Sequence, residues 1–382
     1  MIPVQYIQSC DLFCTVVDNY GDIGIASRLV RQLHDEQHLQ VRLWIDDLRA
    51  FKKLHPAISI ELDLQDWYGV EVRHWVQRFP DVVPFDMVVE AFGCDLPEPY
   101  LSAMVVRSIK PVWINLEYLT AEAWVQGCHG LASPHPRLPL TKYFFFPGYT
   151  STTGGLLRER GLVEAVRNFQ GDSQAQAAFW RSLSIPAAQA NETRISLFAY
   201  ENPAIPSLLE SFARHDRPVT CVLPMNKALG PALNYLGRSH GHAGECYQDR
   251  NLSVRTVPFL TQDTYDRLLW ACDVNVVRGE DSFVRAQFAG RSLLWQAYTQ
   301  EGDTHEKKVR AWLGHYLAGV PSTRANEIQD LFIGWNRGTG ISPSALEILE
   351  ECSGLARSWG EALARLPSLS ESLVMFAKKA YN

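Results

Sequence analysis

Apolar and polar positions change rhythm repeatedly along the first half of the chain. Short apolar runs rich in β-formers, such as DLFCTVV from Asp11 to Val17, alternate with stretches in which apolar residues recur at helical spacing. In IGIASRLVRQLHDE the residues Ile25, Leu29, Val30 and Leu33 fall on one helical face. LQVRLWIDD alternates as a strand does. FDMVVEAFG reads as a buried strand ending in a glycine-containing turn, and PVWINLEYL as another, ending at Asn115 and Glu117. Strands separated by helical stretches predict a parallel sheet with helices on both faces. A second α/β series opens at RISLFAYEN. RPVTCVLP, LSVRTVPFL and CDVNVVRG supply its later strands, with TYDRLLWAC and DSFVRAQFAG as helices between them, and the run from Ser342 to Lys379 reads as helices throughout.

Between the two series lies SPHPRLPLTKYFFFPGYTSTTGGLLRERG, rich in Pro, Gly and Thr, where an extended loop over the functional site is expected. A helical stretch from Leu162 to Ser184 and the polar cluster QANET follow and read as a connection. A length of 382 residues exceeds one ordinary core and predicts two domains. The expected division is residues 1–165 for the first α/β domain, 166–190 for a linker, 191–355 for the second, and 356–382 for C-terminal helices returning to the first. Two doubly wound domains facing a cleft are the expected architecture, with ligands beyond the carboxyl ends of the strands.

Composition narrows the classes. Hydrophobic residues make up 46% and charged residues 20%, no apolar run is long enough to span a bilayer, and the N-terminal stretch carries no basic leader, so a cytoplasmic protein with no membrane partner is expected. A net charge of −6 argues against direct nucleic-acid binding. The eight cysteines form no C-x-x-C pair and no zinc spacing, and are expected as reduced, mostly buried thiols.

Three stretches carry candidate chemistry. In DVNVVRGEDSFVRAQFAG a buried strand ends, Gly279 allows a turn, and Asp281 or Ser282 caps the next helix. Free N–H groups at that helix start, the Ser282 hydroxyl and Arg278 would hold a diphosphate, with Glu280 turned away into the cleft. The competing reading is an ordinary capped turn. Phe198 and Tyr200 at the end of RISLFAYEN, with Phe259 and then Gln262 on a loop after LSVRTVPFL, suit a flat base, where rings stack and an amide reads polar edges. Packing in the core is the competing reading. DNYGDIG places Asp18 and Asp22 around a tight turn. It lacks the G-x-G-x-x-G glycines of a dinucleotide site, and two acids make a poor phosphate cradle. No third metal ligand stands nearby, so a base or a cation-binding carboxylate remains, against a turn-forming Asp18 and a helix-capping Asp22. TSTTGGLL, with Gly154 and Gly155, admits either a close ligand approach, a lid or a simple turn. The histidines show no catalytic signature, and His129 and His135 read as surface or core-edge residues.

The order of DNYGDIG, VVEAFGC, WINLEYLTAEAWV, FFPGYTSTTGGLLRE, LFAYEN and VVRGEDSFVRAQFAG closely resembles the EarP family, bacterial arginine rhamnosyltransferases of translation elongation factor P, from about residue 10 to 380. The resemblance implies a GT-B glycosyltransferase with two Rossmann-like domains. It implies dTDP-β-L-rhamnose as donor, an arginine of elongation factor P as acceptor, inversion at the sugar, and neither cofactor nor metal. Carried over by position, Asp18, Asp22 and Glu280 would be catalytic. Asn19, Tyr20, Gly21, Phe198, Tyr200, Phe259, Gln262, Arg278, Asp281, Ser282 and Tyr298 would bind the substrates. Tyr20 stands where some members have Phe. A GT-B enzyme with a glycan or lipid acceptor, a non-catalytic nucleotide-binding adaptor and an NAD oxidoreductase are the alternatives, the last lacking its fingerprint.

Overall fold

The computed structural model describes residues 7–17, 20–299 and 304–381. The chain divides into two compact units, residues 1–160 with 366–382, and residues 161–365.

The first unit is built on an eight-stranded sheet. Its strands are β1 (Ser9–Cys14), β2 (Gln40–Ile45), β3 (Leu64–Trp67), β4 (Val70–His74), β5 (Met87–Ala91), β6 (Val112–Leu116), β7 (Ala132–Pro134) and β8 (Thr141–Phe145), in the order β3-β4-β2-β1-β5-β6-β8-β7. All pairs are parallel except the two at the edges, β3 with β4 and β7 with β8. Central strands of a parallel sheet are covered on both faces, and β1, β2, β5 and β6 are correspondingly buried along nearly their whole length. Helices α1 (Gly21–Asp35), α2 (Leu48–Leu54) and α3 (Glu98–Val106) connect them. Helix α1 buries Ile25, Leu29, Val30 and Leu33 on its apolar face.

One face of this sheet carries an aromatic core. Phe13 stacks on Trp44 at 5.6 Å and meets Tyr100 edge-on at 4.7 Å. Two acids are sunk into that face. Asp11 accepts hydrogen bonds from Trp44 Nε1 (2.9 Å), the Phe85 amide (2.9 Å) and the Tyr100 hydroxyl (2.5 Å). Glu90 accepts from Trp113 Nε1 (3.0 Å) and Lys142 Nζ (2.6 Å). Burial holds the Glu90 carboxyl above the usual carboxylate range, and the Lys142 ammonium pulls it partly back.

The second unit opens with α4 (Leu162–Gly171) and α5 (Ser173–Ser182). Its six-stranded sheet contains β9 (Thr193–Leu197), β10 (Val219–Pro224), β11 (Cys246–Asp249), β12 (Leu252–Val257), β13 (Val274–Arg278) and β14 (Ser292–Gln296), ordered β11-β12-β10-β9-β13-β14. Only β11 runs antiparallel to its neighbour. Helices α6 (Ile205–Arg214), α7 (Leu229–Tyr235), α8 (Gln262–Ala271) and α9 (Asp281–Phe288) connect the strands, and α10 (Thr304–Tyr316), α11 (Ser322–Arg337), α12 (Ala345–Glu351) and α13 (Ser353–Leu363) follow.

Residues 166–190, expected as a linker, hold the end of α4, the whole of α5 and an irregular stretch, and they group with the second unit. The long helical stretch is broken by Asp172, whose carboxylate caps α5 through the amides of Gln174 and Ala175. Helix α13 also stays with the second unit, and α14 (Leu369–Tyr381) packs in the first. There the Leu369 amide donates to the Leu156 carbonyl at 2.8 Å, and Phe376 lies 5.6 Å from Phe145.

Candidate active site

Each sheet has one place where strand succession reverses. In the first, the chain proceeds outward from β1 to β2 and β4 on one side, and from β5 to β6 and β8 on the other. In the second, β9, β10 and β12 proceed one way, β13 and β14 the other. The loops leaving adjacent strands then diverge and open a crevice at their carboxyl ends. Most of the described candidate residues lie at these two places; Phe259 and Gln262 come from the exit of β12.

In the first unit the crevice lies between β1 and β5. Asp18 and Asn19 fall outside the described residues. Tyr20 is the N-cap residue of α1; its carbonyl accepts the Gly24 amide at 2.9 Å, and its side chain makes no capping bond. Asp22 lies inside the helix, so the competing reading of it as the cap fails. It sits in the first turn, where the helix dipole favours a negative charge, and its carboxylate reaches back to the strand exit. Oδ2 accepts the Val17 amide at 2.8 Å, and Oδ1 accepts the Tyr118 hydroxyl at 3.1 Å. Asp46 does the same for the Val16 amide at 2.9 Å. Asp22 is only 1% exposed. Gly21 opens α1, and Lys53 Nζ donates to the Tyr20 hydroxyl at 2.9 Å.

In the second unit the crevice lies between β9 and β13. Strand β9 stops at Leu197, so Phe198 and Tyr200 lie on the loop beyond it rather than at the strand end. Both rings still converge, because Arg278 at the end of β13 sets its guanidinium 4.9 Å over Phe198 and 4.5 Å over Tyr200. Tyr298 meets Tyr200 edge-on at 5.7 Å and is 47% exposed. Gly279 turns with φ of 63°, and its carbonyl is pinned by Trp295 Nε1 at 2.7 Å. Trp295 is itself stacked on Phe283 at 3.8 Å.

The start of α9 corrects another expectation. Glu280 occupies the N-cap position without a side-chain capping bond, and Asp281 and Ser282 lie in the first turn. Asp281 Oδ2 accepts from Gln262 Nε2 at 3.2 Å, and the Ser282 hydroxyl donates to the Arg278 carbonyl. Gln262 is the first residue of α8, not part of a loop, and Thr261 caps that helix through the Thr264 amide. Phe259 is half-buried between β12 and α8. Phe198, Tyr200, Arg278 and Tyr298 thus form one aromatic and cationic cluster, and Gln262 is tied to the helix start beside it.

The Gly154–Gly155 pair serves packing. A Cβ at Gly154 would lie 2.3 Å from the Phe145 ring, and one at Gly155 would lie 2.2 Å from the Pro367 carbonyl oxygen. His129 Nδ1 accepts the Phe146 amide at 3.1 Å, and His135 Nδ1 accepts the amides of Arg137 (3.2 Å) and Leu138 (3.0 Å), so both shape loops. All eight cysteines are free thiols, six of them buried. Among the described residues no three His, Cys, Asp or Glu side chains are grouped to hold a metal ion, and no helix is long and apolar enough to cross a membrane.

Sequence reasoning missed Tyr118 and Phe92. Tyr118 follows β6 in the quoted PVWINLEYL run, one residue beyond the acid that drew attention. Phe92 has φ of 61°, and its ring stacks on Tyr118 at 4.6 Å. An aromatic residue just past a buried parallel strand was the available signal.

Residues 10–378 match the family model for the elongation factor P (EF-P) rhamnosyltransferase EarP. The chain is 43% identical to a protein-arginine rhamnosyltransferase of Pseudomonas putida, over 97% of this chain and 98% of that one. It is 44% identical to that of Pseudomonas aeruginosa, over 96% and 98%. Among solved structures it is similar to one describing EarP-mediated arginine glycosylation of translation elongation factor EF-P, with 31% identity, a TM-score of 0.69 and coverage of 98% and 100%. The spinosyn rhamnosyltransferase SpnG shares the fold at 12% identity, with a TM-score of 0.50 over 95% and 98%. Two parallel-centred α/β units with switch-point clusters are the GT-B architecture, and the chain is an enzyme belonging to the EarP family of elongation factor P rhamnosyltransferases.

Proposed function

We propose that the enzyme transfers L-rhamnose from dTDP-β-L-rhamnose to one arginine side chain of elongation factor P, with inversion at the anomeric carbon. One observation supports this division of labour above the others: the switch point of the first unit holds a carboxylate, and that of the second holds a cation backed by aromatic rings. A guanidinium belongs with the first and a nucleoside diphosphate with the second.

The nucleophile poses the chemical difficulty. A guanidinium has no free lone pair, and its pKa lies above about 12. A carboxylate near pKa about 4 faces a gap of roughly eight units, about 11 kcal/mol, to deprotonate it beforehand. The acid instead grips the cation and localises its charge. As the nitrogen–carbon bond forms, the nitrogen becomes strongly acidic, and its proton passes to Asp22 with or after attack. Asp18 or Glu280 orients the guanidinium through paired hydrogen bonds. On the donor side Phe198, Tyr200, Phe259 and Tyr298 contact the base and Gln262 reads its edge. Arg278, Ser282 and the amides at the start of α9 receive the negative charge growing on the leaving diphosphate. The free thiols support a reducing, cytoplasmic setting.

The test is intact-mass measurement of purified elongation factor P after incubation with the enzyme and dTDP-β-L-rhamnose. A gain of one deoxyhexose, mapped to an arginine, is expected. An unmodified factor, with transfer to a glycan or lipid instead, overturns the acceptor assignment.

A further inference from the structure

We infer that Tyr118 is a positioning residue for transfer, fixing the Asp22 carboxylate in the direction from which it meets the acceptor. The inference rests on the reading of Asp22 given above. Asp22 is held at two points that come from different parts of the chain. The Val17 amide grips Oδ2 from the exit of β1, and the Tyr118 hydroxyl grips Oδ1 from the exit of β6. A carboxylate held by one donor can swing about χ2, whereas two donors on its two oxygens set the plane of the group.

Tyr118 is itself prepared for this task. Its ring lies against Phe92 at 4.6 Å with an interplanar angle of 18°. Phe92 leaves β5 with φ of 61°, a left-handed conformation that strains a bulky residue and recurs at functional sites. The turn is anchored by the Phe92 amide, which donates to the Leu116 carbonyl at 2.7 Å, and continues into Gly93 with φ of 73°. The strained turn thus places a flat ring where it fixes the approach of the Tyr118 hydroxyl. The exits of β1 and β6 thus meet on this one acid, and the exit of β5 supports the second through Phe92.

The groups facing Asp22 decide how its titration reads. Cys14, at the end of β1, is buried, and burial followed by the Asp22 charge pushes its thiol well above its ordinary range. Asp46 stands nearby on the segment after β2, bonded to the Val16 amide. Tyr20 and Lys53 pair at the start of α1. Removing the Tyr118 hydroxyl leaves all of these in place and withdraws one donor from the ionised form of Asp22.

The experiment compares Tyr118→Phe with wild type on elongation factor P and dTDP-β-L-rhamnose, measuring kcat, both KM values and the pH dependence of kcat/KM. We expect kcat to fall about tenfold, both KM values to stay within about twofold, and the acid limb of the profile to move to higher pH. Phe92→Leu, which keeps the hydroxyl but loosens its ring support, should lower kcat by a smaller factor. A Tyr118→Phe enzyme with wild-type kcat and an unmoved acid limb overturns the inference. So does a loss confined to KM or to thermal stability. Failure of the wild-type enzyme to modify the factor overturns the functional reading instead, so the two failures are separate.

Discussion

Replacing Asp22 by asparagine changes charge and proton affinity with almost no change of shape. The structure says how much fold should survive. The asparagine carbonyl can still accept the Val17 amide, now made at 2.8 Å, and the new amide group faces the Tyr118 hydroxyl, which can rotate to accept. Both charge-assisted bonds become neutral ones, a loss of about 2 kcal/mol in all, so the melting temperature should fall by less than about 8 °C. Catalysis loses more. A positioned proton acceptor contributes about 10²–10⁴ in rate, or about 2.7–5.5 kcal/mol, and the guanidinium loses its counter-charge as well. Intact-mass assays should therefore show kcat reduced at least about hundredfold. The donor's proposed contacts lie in the other unit, so the rise in melting temperature caused by dTDP should be retained. Turnover within about threefold of wild type would refute the assignment of Asp22. Lost dTDP stabilisation would show instead that the substitution disturbs more than the acceptor side.

The other predictions test the donor side, the packing and the buried acids. Arg278→Leu removes the cation over Phe198 and Tyr200; it should raise the donor KM about ten- to hundredfold and abolish thermal stabilisation by dTDP. Gly155→Ala sets a methyl 2.2 Å from the Pro367 carbonyl oxygen at φ of 71°, whereas Gly161→Ala meets nothing within 4 Å at φ of 80°. The first should cost about 1–3 kcal/mol more than the second, read as the difference between their melting temperatures. Because Glu90 is protonated more readily in the folded state, its contribution is complete in acid and declines as pH rises through its folded pKa. The stability advantage of wild type over Glu90→Gln should accordingly shrink from pH 4 towards neutrality in denaturant titrations. A difference independent of pH would show that Glu90 titrates alike in the folded and unfolded states.

The sheets were legible because parallel strands covered on both faces must be nearly continuous apolar runs. Asp11 and Glu90 interrupt those runs, and indole, phenol, amide and ammonium donors satisfy them at sites distant in sequence. Phe198 and Tyr200 on one side and Arg278 on the other stood out in the sequence as separate candidates; strand ends at a switch point bring them together across 80 positions, as Phe198 and Arg278 show. What escaped depends on partners that no local pattern names. The two glycines of TSTTGG left ligand approach, a lid and a simple turn equally open, and it is Phe145 and Pro367 that occupy the space beside them. Asp22 stood out as a functional carboxylate against a capping alternative, but nothing local named Val17 and Tyr118 as the groups that hold it. The helical stretch leading to QANET was read as a connection between domains, although its Phe179 and Trp180, with Ile185 just after it, join the apolar core of the second unit.

The placement of α14 gives the chain an order of assembly. The first unit takes its final helix only after residues 161–365 have been made. Until then Leu156, the Gly155 turn and the Phe145 ring lack the surface that α14 brings to them. On the ribosome the second unit therefore has all of its own residues before the first does. A chain cut short before Leu369 would carry the complete aromatic and arginine cluster and an unfinished acidic half. Such a product should retain whatever affinity the second unit has for a nucleotide while lacking transfer.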